Sequence, residues 1–206
     1  MGASDSLNLR TRLKVKYFGL SLVLLAASAL TAQQAAFQVD PAQSDVKFTL
    51  GDVLHTVHGT FKVKRGALQL EPAGKMGGEI VVDASSGNSG SAMRDRKMHK
   101  EVLESARYTE ITFRPDRVDG AVTTPGKATV TVHGIFGIHG TDREITVPAT
   151  LETVGDHWTA NVHFSVPYAK WGMKNPSTLF LRVNDTVEID LVASGTVVKN
   201  TTTSSQ

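Results

Sequence analysis

Ile145-Thr146-Val147-Pro148-Ala149-Thr150-Leu151, a Gly155-Asp156 turn, and Trp158-Thr159-Ala160-Asn161-Val162-His163-Phe164-Ser165-Val166 decide the fold. Apolar residues stand at every second position on both sides of a short turn. Successive side chains of a strand point to opposite faces, so Ile145, Val147, Ala149 and Leu151 share one face, and Trp158, Ala160, Val162, Phe164 and Val166 share another. The intervening Thr146, Thr150, Asn161, His163 and Ser165 face water. Alternation this regular marks antiparallel pairing with one dry and one wet face.

The same period runs outward in both directions. Upstream it picks out Val46, Phe48 and Leu50, then Val57, Phe61 and Val63, then Ile80, Val82 and Ala84 opposed by Glu79, Val81 and Asp83. It continues in Ile111 and Phe113, and in Val130, Val132, Phe136 and Ile138. Downstream it returns in Val187, Ile189, Leu191 and Ala193. Turn signals separate the runs, among them Asp40-Pro41, Pro72-Ala73-Gly74, Asp119-Gly120, Pro125-Gly126 and Gly140-Thr141-Asp142. Many strands on short links leave two architectures, a sandwich or a closed barrel. The barrel also removes unpaired edges.

Two segments break the period. The first part of residues 85–106, from Ser85 and containing Gly87-Asn88-Ser89-Gly90-Ser91, reads as a flexible loop. A short helix follows, with Met98 and Val102 four apart and Leu103 beside them. Residues 167–184 form a long irregular stretch that contains Tyr168, Trp171 and Met173. Such insertions in a compact domain carry function more often than not, and these two read as lids over one end of a barrel.

The N-terminal residues read as an export signal, with an uncleaved N-terminal anchor as the alternative. Arg10, Arg12, Lys14 and Lys16 precede an apolar run from Tyr17 to Leu30, and Ala27-Ser28-Ala29 supplies the small residues of a cleavage site. The run is short of the roughly 20 apolar residues that a membrane span requires. The expected organisation is a signal at 1–29, a linker at 30–36, one domain at 37–198 and a disordered tail at 199–206. The expected location is the bacterial periplasm or outside the cell. The chain carries 22 Lys+Arg and 20 Asp+Glu. Cleavage after Ala29 leaves 18 basic against 19 acidic residues, so the net charge of the mature domain gives it no electrostatic reason to seek nucleic acid or an anionic membrane. With no Cys, disulfides, thiolate metal sites, Fe–S clusters and lipoprotein anchoring fall away.

The mature chain resembles the YceI-like family of periplasmic lipid-binding proteins. The resemblance rests on Phe37-Gln38-Val39-Asp40-Pro41-Ala42-Gln43-Ser44 with Val46 and Phe48, on His58-Gly59-Thr60-Phe61, and on Met93-Arg94-Asp95 leading to Tyr108 and Ile111-Thr112-Phe113. It extends through His133-Gly134, Arg143-Glu144-Ile145-Thr146-Val147-Pro148 and Asn184-Asp185-Thr186-Val187-Glu188-Ile189. The chain departs from the common pattern at Glu101-Val102-Leu103-Glu104, at Thr109 and in the longer segment Lys170 to Pro176. The resemblance implies an all-β, extended lipocalin-like antiparallel barrel of eight strands with a short helix. It also implies an interior pocket for a polyisoprenoid or similar amphiphile, bound as ligand with no cofactor.

A hydrocarbon tail needs little more than a dry tube, since burial is worth about 0.8 kcal/mol per CH2. The lumen candidates are Val57, Phe61, Val132, Phe136, Val162, Phe164, Ile189 and Leu191. The mouth candidates are Met93, Met98, Trp171 and Met173, because Met adapts to irregular shapes and Trp bridges dry and wet surroundings. Arg94, Arg96 and Lys97 are candidates for an anionic headgroup. A barrel with exposed lids is compatible with a homodimer and with transient membrane contact. Two other functions stay open, a structural or stress-response interaction domain with a filled core, and a lipid hydrolase. For the hydrolase, Ser91, Asp95 and His99 are spaced by four, but no Gly-x-Ser-x-Gly elbow exposes a nucleophile, and the expectation is a non-enzyme. A metal site is not expected. His55 and His58 point to opposite faces, and His133 and His163, though both outward, lack a carboxylate or thiolate cluster.

Overall fold

The computed structural model describes residues 35–52, 55–122, 125–179 and 181–199. The signal and residues 200–206 of the tail lie outside the described residues. Nine strands are present: β1 (Ala35–Val39), β2 (Asp45–Gly51), β3 (Thr56–Leu70), β4 (Met76–Asn88), β5 (Glu110–Asp119), β6 (Gly126–Ile138), β7 (Thr141–Val154), β8 (His157–Val166) and β9 (Val187–Lys199). One helix, α1 (Ala92–Lys97), runs into a π-helical turn at Met98–Val102.

All pairings are antiparallel, and the ladder runs β3-β2-β9-β8-β7-β6-β5-β4 and back to β3. The nine strands make eight staves, because β1 and β2 are two halves of one. β2 pairs with β9 at 188–192, and β1 pairs with β9 at 195–199. The break between them is the Asp40-Pro41 turn. Asp40 accepts a hydrogen bond from the Ala42 amide at 2.9 Å, and the Asp40 amide donates to the Ser194 carbonyl at 2.8 Å. The turn is therefore stitched to β9 and does not open the ring. Gly195 sits where β1 crosses β9, and a Cβ there would collide with the Gln38 carbonyl.

Ring closure satisfies both edges of every stave and sends one face of each inward. The inward residues of β7, β8 and β9 follow the sequence parity throughout. β3 and β5 do not, because each contains a bulge. Register shifts between Val63 and Arg65 and between Pro115 and Arg117 move the inward set from odd to even positions, which brings Leu68, Leu70 and Val118 inside.

Four expectations are corrected here. Ala35 and Ala36, read as linker, already pair with Leu70 and Gln69. Lys199, read as tail, pairs with Ala35. Ser85 to Asn88, read as flexible loop, continue β4. Val81, read as a wet-face residue, is fully buried. It lies in register between Arg65 and Thr112, where ion pairs join Arg65 to Glu79 and Glu110, and Arg114 to Glu79. The stems of such side chains shield an apolar neighbour while their heads stay wet.

Candidate functional site

The inward faces enclose a cavity of about 590 Å3 that extends along the lumen, and its walls are overwhelmingly apolar. Toward the far end it is lined by Leu70, Met76, Val118 and Trp158, and at the lid end by Met93, Met98, Pro176 and Leu181. The volume lies within the range of small-molecule sites, roughly 300–1,000 Å3. An apolar space of this size leaves the side chains around it without packing partners. A barrel of this shape gains most from an apolar occupant.

Part of the lumen is filled by the protein itself. Trp158 is buried against the edge of Phe37, ring centroids 5.7 Å apart, and its indole N–H donates to the Gln38 carbonyl at 3.3 Å. Val39, Val46, Val63, Ile80 and Ala193 complete this packed cluster. At the lid end Phe136 meets Phe164 edge-on at 5.7 Å, and Phe48 meets Phe61 at 5.5 Å.

Both irregular segments border the cavity. Met98, Val102 and Leu103 turn inward from the helical segment, and Gly87 makes room for them. A Cβ on Gly87 would stand 2.6 Å from both Met98 Cε and the Phe61 ring. From the other segment, Tyr168 and Met173 are buried and Pro176, Thr178 and Leu181 line the opening. Two polar contacts clasp the segments together. Lys97 Nζ donates to the Pro176 carbonyl at 2.7 Å, and Lys174 pairs with Glu101 at 2.6 Å. Hydrogen bonding to Lys174 holds the Glu101 carboxyl below its ordinary value.

The second lid is rooted by Tyr168 and Arg143. The Tyr168 hydroxyl donates to the Asn184 carbonyl at 2.6 Å, and burial pushes its pKa up to about 12, with the Asp185 charge adding to the shift. Arg143 donates to the Trp171 carbonyl at 2.8 Å and lies over the Trp171 ring at 5.1 Å.

Of the sequence candidates, Val57, Phe61, Val132, Phe136, Val162, Phe164, Ile189 and Leu191 all border the cavity, as do Met93, Met98 and Met173. Met173 is a buried plug and Met93 an exposed rim residue. Trp171 does not line the cavity. It packs behind Phe136 at 6.0 Å, held there by Arg143. Arg94 and Lys97 line the cavity and Arg96, exposed on the same helix, does not. Arg94 is tied to Ser89, donating to its carbonyl at 3.0 Å.

Of the three residues considered for catalysis, Asp95 and His99 hold the loop with their polar atoms. Asp95 accepts from the Ser89 amide and hydroxyl at 2.7 and 2.6 Å, which holds its pKa low. The His99 ring contacts the Gly87 carbonyl and the Ser105 hydroxyl at 2.9 and 3.1 Å. His133 stands between Asp119 and Thr146, while His163 stands beside Asp190 and Glu188, so the two do not share a site. Among the described residues no group of three or more His, Asp or Glu is placed to hold a metal. Sequence reasoning missed Leu68, Leu70, Met76 and Val118, whose inward parity depends on the bulges or on the strand starts beside them.

Comparison with known proteins places these features among relatives. The YceI-like domain matches residues 37–194. A UPF0312 protein of Pseudomonas putida strain W619 is 26% identical over 196 residues, covering 89% of this chain and 97% of its own length. Among solved structures, BcnA of Burkholderia cenocepacia superposes with a TM-score of 0.62 at 20% identity, over 77% of this chain and 99% of that one. A Saccharophagus degradans domain, described as polyisoprenoid binding and implicated in plant cell wall breakdown, gives a TM-score of 0.64 at 16% identity, over 79% and 98%. At these identities the structural likeness establishes the fold.

Proposed function

The chain belongs to the YceI-like family, and from that membership and its hollow barrel we propose that it binds a polyisoprenoid or similar long-chain amphiphile in the lumen. The single observation that carries this reading is the 590 Å3 apolar cavity to which every stave contributes. The related fold described as polyisoprenoid binding supports the ligand class. Ten buried CH2 groups contribute about 8 kcal/mol, which before ordering costs corresponds to micromolar affinity. The tail occupies the tube, and the headgroup stays at the mouth beside Arg94 and Lys97. The basic and apolar residues from Arg10 to Ala29 support action in the periplasm, where storing or shuttling such a lipid requires shelter from water. Binding without catalysis is supported by Asp95 and His99, whose polar atoms hold the loop and face no exposed nucleophile.

Native mass spectrometry of the purified protein, followed by solvent extraction, tests the proposal. The expected result is a co-purifying amphiphile at about one per chain, with uptake of a prenyl alcohol by stripped protein reduced at least about tenfold in Val162→Trp, which obstructs the tube. Protein that carries no lipid and takes none up after stripping would end it.

A further inference from the structure

The two ends of the barrel differ in charge as well as in openness. Residues 91–107 and 170–186, which border the mouth, contain eight Lys and Arg against four Asp and Glu. The rest of the chain from residue 35 onward has ten basic against fifteen acidic residues. Positive charge is thus concentrated on two short segments of a domain that is otherwise acidic. Arg96, Lys100, Lys170 and Arg182 are exposed and make no ion pair among the described residues.

Apolar exposure coincides with this charge. Met93 is 77% exposed and Leu179 is 91% exposed, one on each segment framing the opening. Large exposed apolar side chains also occur at the other end, Val154 and Val198, but there the turn between β7 and β8 is flanked by Glu152 and Asp156. Among the described residues, the large exposed apolar side chains at the mouth are the ones set among surplus cations.

We propose that the mouth of the barrel docks on an anionic lipid bilayer, with Met93 and Leu179 entering the headgroup region and Arg96, Lys100, Lys170 and Arg182 facing the lipid phosphates. Apolar tips set among cations are the composition of an interfacial anchor, and each Lys or Arg near an anionic leaflet adds to the attraction. A protein partner fits less well. A stable protein interface buries about 1,200–2,000 Å2 around a well-packed apolar centre, whereas two separated side chains offer no such patch. A fluid surface of phosphates does not require one. No helix among the described residues is long and apolar enough to cross a membrane. Docking stands apart from the proposed ligand. If both hold, a tail passes between bilayer and lumen without exposure to water, which would cost about 0.8 kcal/mol per CH2.

The absence of Cys allows a clean test on the full chain. Leu179→Cys and Val154→Cys proteins, each labelled with an environment-sensitive fluorophore, are titrated with vesicles of phosphatidylcholine alone or with about one-third phosphatidylglycerol. The expected result is a blue shift at position 179 on the anionic vesicles only, with position 154 silent on both. Residues 1–34 are common to both proteins, so their own membrane affinity cannot separate the two positions. Arg96→Glu combined with Arg182→Glu should lower the partition coefficient at least about tenfold and leave lipid content unchanged. Silence at 179, equal response at both positions, equal response on neutral vesicles, or no effect of charge reversal would each overturn the proposal.

Discussion

The barrel wall and the lid end are held by different physics. In the wall every stave is hydrogen-bonded on both sides, and residues far apart in sequence, such as Gln38 and Trp158, are locked together inside a closed ring. At the lid end the chain leaves the ladder. Its position rests on a few side-chain contacts: Tyr168 to Asn184, Arg143 to Trp171, Lys97 to Pro176 and Glu101 to Lys174. Losing one wall contact strains the whole ring, whereas losing one lid contact frees only a segment. Proteins place access routes in such low-stability regions because the rest can stay folded while they move. The difference teaches where stability and exchange reside in this molecule, and mutations can separate them.

The largest expected effect lies in the wall. Trp158→Ala removes the edge contact with Phe37 and the bond to Gln38 and leaves a hole in the packed cluster, so urea unfolding of the stripped protein should show a loss of about 3–5 kcal/mol. If the loss were under about 1 kcal/mol, the packed cluster would not be the seat of stability and the contrast with the lid would fail.

A smaller effect is expected at the root of the lid. Tyr168→Phe deletes the hydroxyl that donates to Asn184 and should cost about 1 kcal/mol. The folded state holds the phenol neutral, with its pKa near 12 against an ordinary 10.0. Stability from this group is therefore complete below pH 10 and is lost as pH rises toward 12. Wild-type protein should lose stability across that window, and Tyr168→Phe should lose less. Parallel alkaline profiles would show that the lid root is not closed around this hydroxyl.

How legible each region is follows from the same physics. The wall could be read because burial on one face imposes a period of two, which survives in Ile145 to Leu151 and Trp158 to Val166 without exception. It failed at Leu68 and Val118, because a bulge is one extra residue in backbone register and leaves no mark in composition. Val81 was misread for a related reason: its cover comes from side chains of neighbouring strands, and a single strand's pattern does not contain them. At the lid end the sequence marked the segments and their Met residues but not their contacts. Trp171 was placed at the mouth on its amphipathic character, whereas Arg143, twenty-eight positions away, draws it behind Phe136. Pairings such as Lys97 with Pro176 join residues whose spacing carries no periodic signal.

The smallest effect on stability should come from the clasp, and there the contrast is sharpest. Lys174 is exposed and Glu101 half-buried at the surface, and ion pairs this open to water contribute little to folding, so Glu101→Gln should leave the urea midpoint nearly unchanged. Release is a different matter, because the pair joins the two segments that border the lid end of the cavity. The variant should release a bound prenyl probe to acceptor vesicles several-fold faster than wild type, since opening no longer breaks a charge-assisted bond. Acid should reproduce the mutation. The Glu101 pKa is held below its ordinary 4.5, so the pair is intact above that value and is lost as pH falls through the lowered one. Wild-type release should accelerate below pH 4.5, while Glu101→Gln, already unclasped, should respond less. If the two proteins released at one rate at neutral pH, exchange would not pass between these segments, and the lid would be as structural as the wall.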